Sequence, residues 1–160
     1  MIEVREMSTE ENEDLLETSG YGHFAFADGI RPYVIPLHFA YCRPNVCFYT
    51  TDGKKTRILR ENPNVCLQVE EVIDRENWRS VIVNGTADEV LDPAEREQVV
   101  NTILRVNPTL TPAVSVRWLD NWVRENVEAI YTVKVLSITG RASGNVVDRP
   151  TLVRRREKPS

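Results

Sequence analysis

Two short turn signals constrain this chain more than any other feature. Asp28-Gly29 and Arg43-Pro44-Asn45 separate three runs of strand character, His23 to Ala27, Arg31 to Tyr41 and Val46 to Thr51. Connections this short join antiparallel neighbours, because parallel strands need a long crossover. Pro32 and Pro36 fall inside the second run. Proline cannot donate to a ladder, so this strand is expected to be bulged or to turn one side away from a neighbour.

Helix signals follow a different punctuation. Ser8-Thr9-Glu10-Glu11 reads as a capping box opening a short acidic helix. Met7 is its hydrophobic staple, Leu15 and Leu16 its apolar face, and Gly20 and Gly22 its stop. Lys54 to Asn62 reads as a second helix with Ile58 and Leu59 inward, ended by Pro63. Asp92-Pro93-Ala94-Glu95 starts a third, with Val99, Val100, Ile103 and Leu104 as its stripe. Val114, Trp118, Leu119, Trp122 and Val123 repeat the helical spacing, with the two tryptophans expected in packing. Val65 to Val69, Ser80 to Val90 and Ala129 to Ile138 are further strands, and Gly140 is expected to end the last. Six strands, hairpin-linked at first and with helices later, predict a mainly β α+β fold, an antiparallel barrel rather than a βαβ sheet. Residues 1–147 are expected to form one domain, and 148–160 a flexible, polar, basic tail.

Charge narrows the partners. The net charge of -4 argues against a nucleic-acid or membrane-surface binder, whose footprint is basic. No apolar run is long enough to cross a bilayer, and the acidic, polar start is unlike a secretory signal, so a cytoplasmic protein is expected. The three cysteines are odd in number and form no Cys-x-x-Cys, which argues against a disulfide framework or a thiolate zinc site. His23 and His38 have no carboxylate or cysteine at metal-ligand spacing. The acidic run Glu70, Glu71, Asp74 and Glu76 is expected to be a solvated loop. No nucleophile elbow, Walker loop or Rossmann fingerprint occurs.

The segment Phe48-Tyr49-Thr50-Thr51-Asp52-Gly53-Lys54-Lys55 carries the most chemistry. A strand delivers hydroxyls, a glycine turn follows, and two lysines sit at a helix start. A helix N-terminus offers unpaired amides and the positive end of a dipole. A phosphate monoester suits such a set. Thr, Gly and Lys are also ordinary turn residues, so an exposed turn before a solvated helix stands as the alternative.

Several motifs together resemble a known family. Phe48 to Lys55, followed by Glu61-Asn62-Pro63-Asn64-Val65-Cys66-Leu67, is similar to the pyridoxamine-phosphate-oxidase-like pattern. Arg31-Pro32-Tyr33-Val34-Ile35-Pro36-Leu37-His38-Phe39 resembles a strand of the nitroimidazole-resistance branch. Trp78-Arg79-Ser80-Val81-Ile82-Val83-Asn84-Gly85 and Ile130-Tyr131 through Ile138-Thr139-Gly140 resemble later strands of the family. The resemblance runs from about Gly22 to Gly140. It implies a six-stranded antiparallel FMN-binding split barrel with flanking helices, working as a homodimer with the flavin in the interface groove.

By that resemblance Lys54 and Lys55 bind the FMN phosphate with help from Thr51. Tyr49 and Thr50 lie beside the ribityl chain or ring, and backbone groups of Val34, Ile35, Pro36 and Leu37 face the isoalloxazine. Trp78 and Ser80 approach from the partner subunit. The implied activity is an FMN-dependent oxidoreductase acting on a small molecule. The alternatives are a non-catalytic flavin, haem or deazaflavin carrier, and an interaction module that has lost its cofactor. Three departures stand out. The loop between Thr50 and Lys54 is shorter than in the oxidase, the oxidase's Arg-x-His segment is absent, and Tyr49 replaces a histidine of the nitroimidazole-resistance proteins. Tyr49 and His38 are the candidate proton donors.

Overall fold

The structure, a computed structural model, describes residues 2–50, 53–106 and 129–144. Its elements in order are β1 (Val4–Glu6), α1 (Thr9–Thr18), β2 (Tyr21–Asp28), β3 (Arg31–Cys42), β4 (Asn45–Thr50), α2 (Lys54–Glu61), β5 (Asn64–Val72), β6 (Trp78–Glu89), α3 (Pro93–Val106) and β7 (Ala129–Ser143). The sheet order is β1-β7-β4-β3-β2-β5-β6, and β6 also pairs with β7. That last pairing closes the six expected strands into an antiparallel barrel. β1, a three-residue strand absent from the sequence reading, adds to the far part of β7 at Arg141, Ala142 and Ser143.

The expected turns set the register. Gly29 takes φ 61° in the two-residue loop joining β2 to β3, with Asp28 opposite Arg31 and Tyr21 opposite His38. Glycine at the first loop position is what a type II′ hairpin requires. The second hairpin pairs Cys42 with Asn45 and runs back to Phe39 and Phe48. There the ladder stops, while on its other side β4 pairs with β7 from Val46 to Thr50. On the other side, β2 meets β5 only at His23, Phe24 and Ala25. The barrel is therefore split along two short seams.

Inward-facing residues fill the interior. Phe24, Phe39 and Phe48 are fully buried. The Phe48 ring centroid lies 4.8 Å from that of Phe24 and 5.2 Å from that of Tyr131. Leu15 and Leu16 of α1 and Ile58 and Leu59 of α2 join the same core. α3 packs outside the barrel, where Val100 and Ile103 cover Ala40, Tyr49 and Ile130.

The capping box forms as expected. The Ser8 amide donates to Glu11 Oε2 at 3.0 Å, and the Glu11 amide donates to Ser8 Oγ at 3.2 Å. Arg5 Nη1 also donates to Glu11 Oε2, at 2.9 Å. That bond from Arg5, with the Ser8 amide, holds the Glu11 carboxyl below its ordinary value of 4.5, against the opposing effect of burial. A carboxyl lowered in the folded state stabilises the fold above its ordinary value and loses that contribution as pH falls through its folded value. The melting-temperature gap between wild type and Glu11→Gln is expected at neutral pH and to narrow below about pH 4.5. A pair of thermal scans across that range checks it.

Two expectations need correction. Gly140 does not end β7, which continues to Ser143. The glycine is needed because α1 comes so close: a Cβ there would overlap Asn12 Oδ1 and reach 3.1 Å from Met7 Sδ. The acidic run is not a uniform solvated loop either. Glu70 and Glu71 belong to β5, and Asp74 Oδ1 accepts from the amides of Glu76 and Asn77 to build the β5–β6 turn. The expected helix at Val114 to Val123 and the tail 148–160 lie outside the described residues.

Candidate flavin site

The β3 strand has a neighbour on both sides for only part of its length. Residues 39–42 pair with β4, whereas residues 31–38 have β2 on one side and no described strand on the other. The Phe39 amide donates to the Gly20 carbonyl at 3.0 Å. In an antiparallel ladder the hydrogen-bonding direction alternates along the strand. Odd-numbered residues of β3 thus turn their backbone toward β2, and Pro32, Val34 and Pro36 turn theirs to the open edge. Both prolines sit where a missing N–H breaks no ladder bond. Between Pro32 and Pro36 the edge presents the carbonyls of Pro32, Val34 and Pro36 and the N–H of Val34. Ile35 and Leu37 point their side chains to the barrel core, while Val34 and Pro36 are exposed.

The basic helix start lies beside the same hairpin. Lys54 Nζ stands 4.6 Å from the centroid of the Tyr33 ring and 3.9 Å from Asp28 Oδ2. A cation over an aromatic face is attracted by the ring's quadrupole. Gly53 adopts φ 146° as the N-cap of α2. The Thr56 hydroxyl donates to the Gly53 carbonyl at 2.8 Å and accepts from the Gly53 amide at 3.1 Å. Capping by Thr56 leaves the amides of Lys54 and Lys55, in the first turn, without helical partners. Lys55 is half-buried, and its ammonium has no partner among the described residues. Thr51 lies outside the described residues.

β4 sends its two candidate residues to opposite faces. Thr50 is buried on the interior side, while Tyr49 lies on the outer face in the α3 cluster. Burial pushes the Tyr49 phenol above its usual value, so it keeps its proton at neutral pH. Its ring stacks on His38, with centroids 6.4 Å apart and planes 7° apart. His38 meets Tyr21 edge-on at 6.0 Å, and Tyr21 meets His23 edge-on at 5.9 Å. This strip of Tyr49, His38, Tyr21 and His23 is an arrangement the sequence reading did not assemble.

Trp78 and Ser80 lie elsewhere. Gln68 is opposite His23 on β2, and Ser80 is opposite Glu70, two residues farther along β5. Lys54 reaches Asp28, at the other end of β2. Gln68 Nε2 donates to Ser80 Oγ at 3.1 Å. Next to this pair, the buried Arg79 donates to Asp14 at 2.8 Å and to Glu71 at 2.5 Å. Burial alone lowers the Arg79 guanidinium, but the bonds to Asp14 and Glu71 more than offset it and leave the group raised. Trp78 and Ser80 line a separate cleft bounded by α1, β1 and β7.

The family model for pyridoxamine 5'-phosphate oxidase matches residues 8–142, from the capping box of α1 to the end of β7. The chain belongs to that family. Among solved structures of similar fold, an FAD-binding protein from Mesorhizobium loti is 24% identical, with a TM-score of 0.72, covering 90% of this chain and 99% of that one. A protein proposed to give 5-nitroimidazole antibiotic resistance in Bacteroides thetaiotaomicron is 21% identical, with a TM-score of 0.69, covering 90% of each chain. An uncharacterized protein of Rhizobium meliloti strain 1021 is 30% identical over 87 residues, which span 54% of this chain and 58% of that protein.

Tyr33 and Asp28 were missed as companions of Lys54. The signal for them was present: a two-residue loop at Gly29-Ile30 puts Asp28 and Arg31 opposite each other, and Tyr33 two residues on.

Proposed function

We propose that the protein binds FMN along the open edge of β3 and uses it to oxidise or reduce a small molecule. The observation that carries this reading is the half-open β3 strand running beside a basic helix start. The flavin ring edge carries carbonyls and an N–H, which complement a backbone edge with three carbonyls and one N–H. Lys55, Lys54 and the first-turn amides of α2 suit the phosphate. Thr51 keeps its part through the resemblance alone. The flavin supplies the redox chemistry, and the protein orients it and tunes its surroundings. Tyr49 and His38, stacked on each other, remain the two candidate proton donors, with Tyr49 covered by α3.

A homodimer belongs to the same proposal. Trp78 and Ser80 lie at the opposite end of the sheet from Lys54, so a second copy is what brings them to the flavin. Tyr21, Val34 and Ile82 are exposed on the outer faces of β2, β3 and β6, where an apolar partner surface suits them. Among the described residues, no helix is long and apolar enough to cross a membrane.

The visible absorption spectrum of the purified protein, before and after adding FMN, tests the reading. Flavin bands or saturable FMN binding, with elution as a dimer of 18.3-kDa chains, is the expected result. Tighter binding of FAD would keep the flavin and change its form. A haem spectrum would transfer the protein to the carrier reading. A colourless protein indifferent to FMN and FAD would overturn the flavin assignment.

A further inference from the structure

The β3–β4 hairpin carries one cysteine on each strand, both on the same face. Cys47 is opposite Ala40, and Cys42 stands two residues beyond Ala40 on β3, so the two cysteines are diagonal neighbours. Val46 and Phe48 belong to the core, which turns Cys47 to the outer face. Cys42 packs there at the rim of the α3 cluster. The two thiol side chains interact directly with each other. On the other side of Cys47, its Sγ lies 3.8 Å from Thr132 Oγ1 of β7. Cys47 is 3% exposed and Cys42 is half-buried, so the pair meets solvent on the Cys42 side. Neither cysteine is in a disulfide.

Diagonal placement decides what these two thiols can do. Diagonal neighbours on antiparallel strands have Cα atoms about 7–8 Å apart. A disulfide needs roughly 4.4–6.8 Å, so joining the sulfurs directly requires the hairpin to move. A cation between them bridges a wider gap, since two metal–sulfur bonds of about 2.3 Å each span about 4.6 Å. We propose that Cys42 and Cys47 bind a soft, closed-shell monovalent cation, copper(I), as a two-coordinate dithiolate. Thiolates select soft ions. A structural zinc ion takes four ligands, and among the described residues no group of three or more His, Cys, Asp or Glu is placed to hold a metal. Copper(I) is satisfied by two sulfurs in line. Its binding releases the two thiol protons to solvent. The Thr132 hydroxyl is placed to donate to Cys47 Sγ and so to orient that ligand from the neighbouring strand. Cys66 takes no part, because it lies on β5 opposite Ala25 of β2. Copper binding at this pair needs no flavin.

Anaerobic titration of the reduced full chain with copper(I) held by the chelator bicinchoninate tests the assignment. One equivalent of copper is expected to pass from the chelator to each chain. The copper K-edge absorption spectrum of the product is expected to show two sulfur neighbours. Cys42→Ser is expected to leave the copper with the chelator, and because Cys42 is half-buried, an unchanged melting temperature of the metal-free variant serves as its folding control. Cys66→Ser is expected to take up the full equivalent. Thr132→Val, which keeps both sulfurs, is expected to hold copper about tenfold more weakly. Lys55→Ala is expected to bind copper as the wild type does while weakening FMN. Failure of the wild type to draw copper from the chelator, full uptake by a folded Cys42→Ser, or loss of uptake in Cys66→Ser would overturn the Cys42–Cys47 site and leave the flavin reading standing. Copper bound through three or more sulfurs would mean bridging between chains and would also overturn it. Copper uptake in a chain indifferent to FMN would uphold the thiol pair and sink the flavin reading.

Discussion

Replacing Lys55 with alanine is expected to weaken FMN binding by about one to two orders of magnitude, the loss of one charge-assisted hydrogen bond of about 1.5–3 kcal/mol. Lys55 rather than Lys54 is the sensitive position. Lys54 already faces the Tyr33 ring and the Asp28 carboxylate, so its charge is partly committed. Lys55 is half-buried at the helix start and has no partner among the described residues. Its ammonium therefore gives the phosphate more than it gives the empty fold. Lys54→Ala is expected to cost less affinity, and Lys55→Arg to keep part of it, since both cations bind phosphate with different geometry. The wild-type dissociation constant is expected to rise with salt, and that of Lys55→Ala to rise less steeply, because one screened charge contact is gone. Fluorescence titration at two ionic strengths measures both effects. Equal FMN affinity in Lys55→Ala and wild type would refute the phosphate assignment.

The parts legible in the sequence were those set by local chemistry. Asp28-Gly29 announced a tight hairpin, and the structure closes one there. Ser8 and Glu11 announced a reciprocal cap, and Asp92 announced a helix start: the Glu95 amide donates to Asp92 Oδ2 at 3.0 Å. Pro32 and Pro36, four apart on one strand, must direct their backbone to the same edge. Which edge is open was not legible, because it depends on where the β3–β4 ladder ends. That end point is a matter of barrel closure, which no local signal reports. β1 escaped for a similar reason. Val4-Arg5-Glu6 is short and charged, and it is a strand only because the end of β7 offers it an edge. Gly140 was misread because a glycine at a strand end and a glycine under a crossing helix look alike until the helix is placed. The site divides along the same line. The basic helix start could be read from Gly53-Lys54-Lys55, whereas the separation of Trp78 and Ser80 from it required the β2–β5 and β5–β6 registers.

Phe48→Ala is expected to cost about 3–5 kcal/mol, the usual range for a fully buried phenylalanine cut back to alanine. Phe48 is 0% exposed and lies against both Phe24 and Tyr131. It therefore joins β2, β4 and β7 across the interior, and the gap left behind has three strands around it that cannot close in together. A domain is stable by only about 5–15 kcal/mol, so this single change removes much or all of the margin. Phe48→Leu, which keeps most of the volume, is expected to cost less. Urea unfolding of the three proteins measures the difference, and a loss below about 1 kcal/mol would mean that the ring cluster is not the core of the barrel. The same variant bears on function. FMN held at about 100 times its dissociation constant adds about 2.7 kcal/mol to any protein that binds it only when folded. Phe48→Ala is thus expected to recover part of its stability with FMN, because Lys54, Lys55 and the β3 edge are untouched. Phe48→Ala combined with Lys55→Ala is expected to recover much less. Equal recovery in the two proteins would mean that the flavin is held away from α2, whatever the fate of the core.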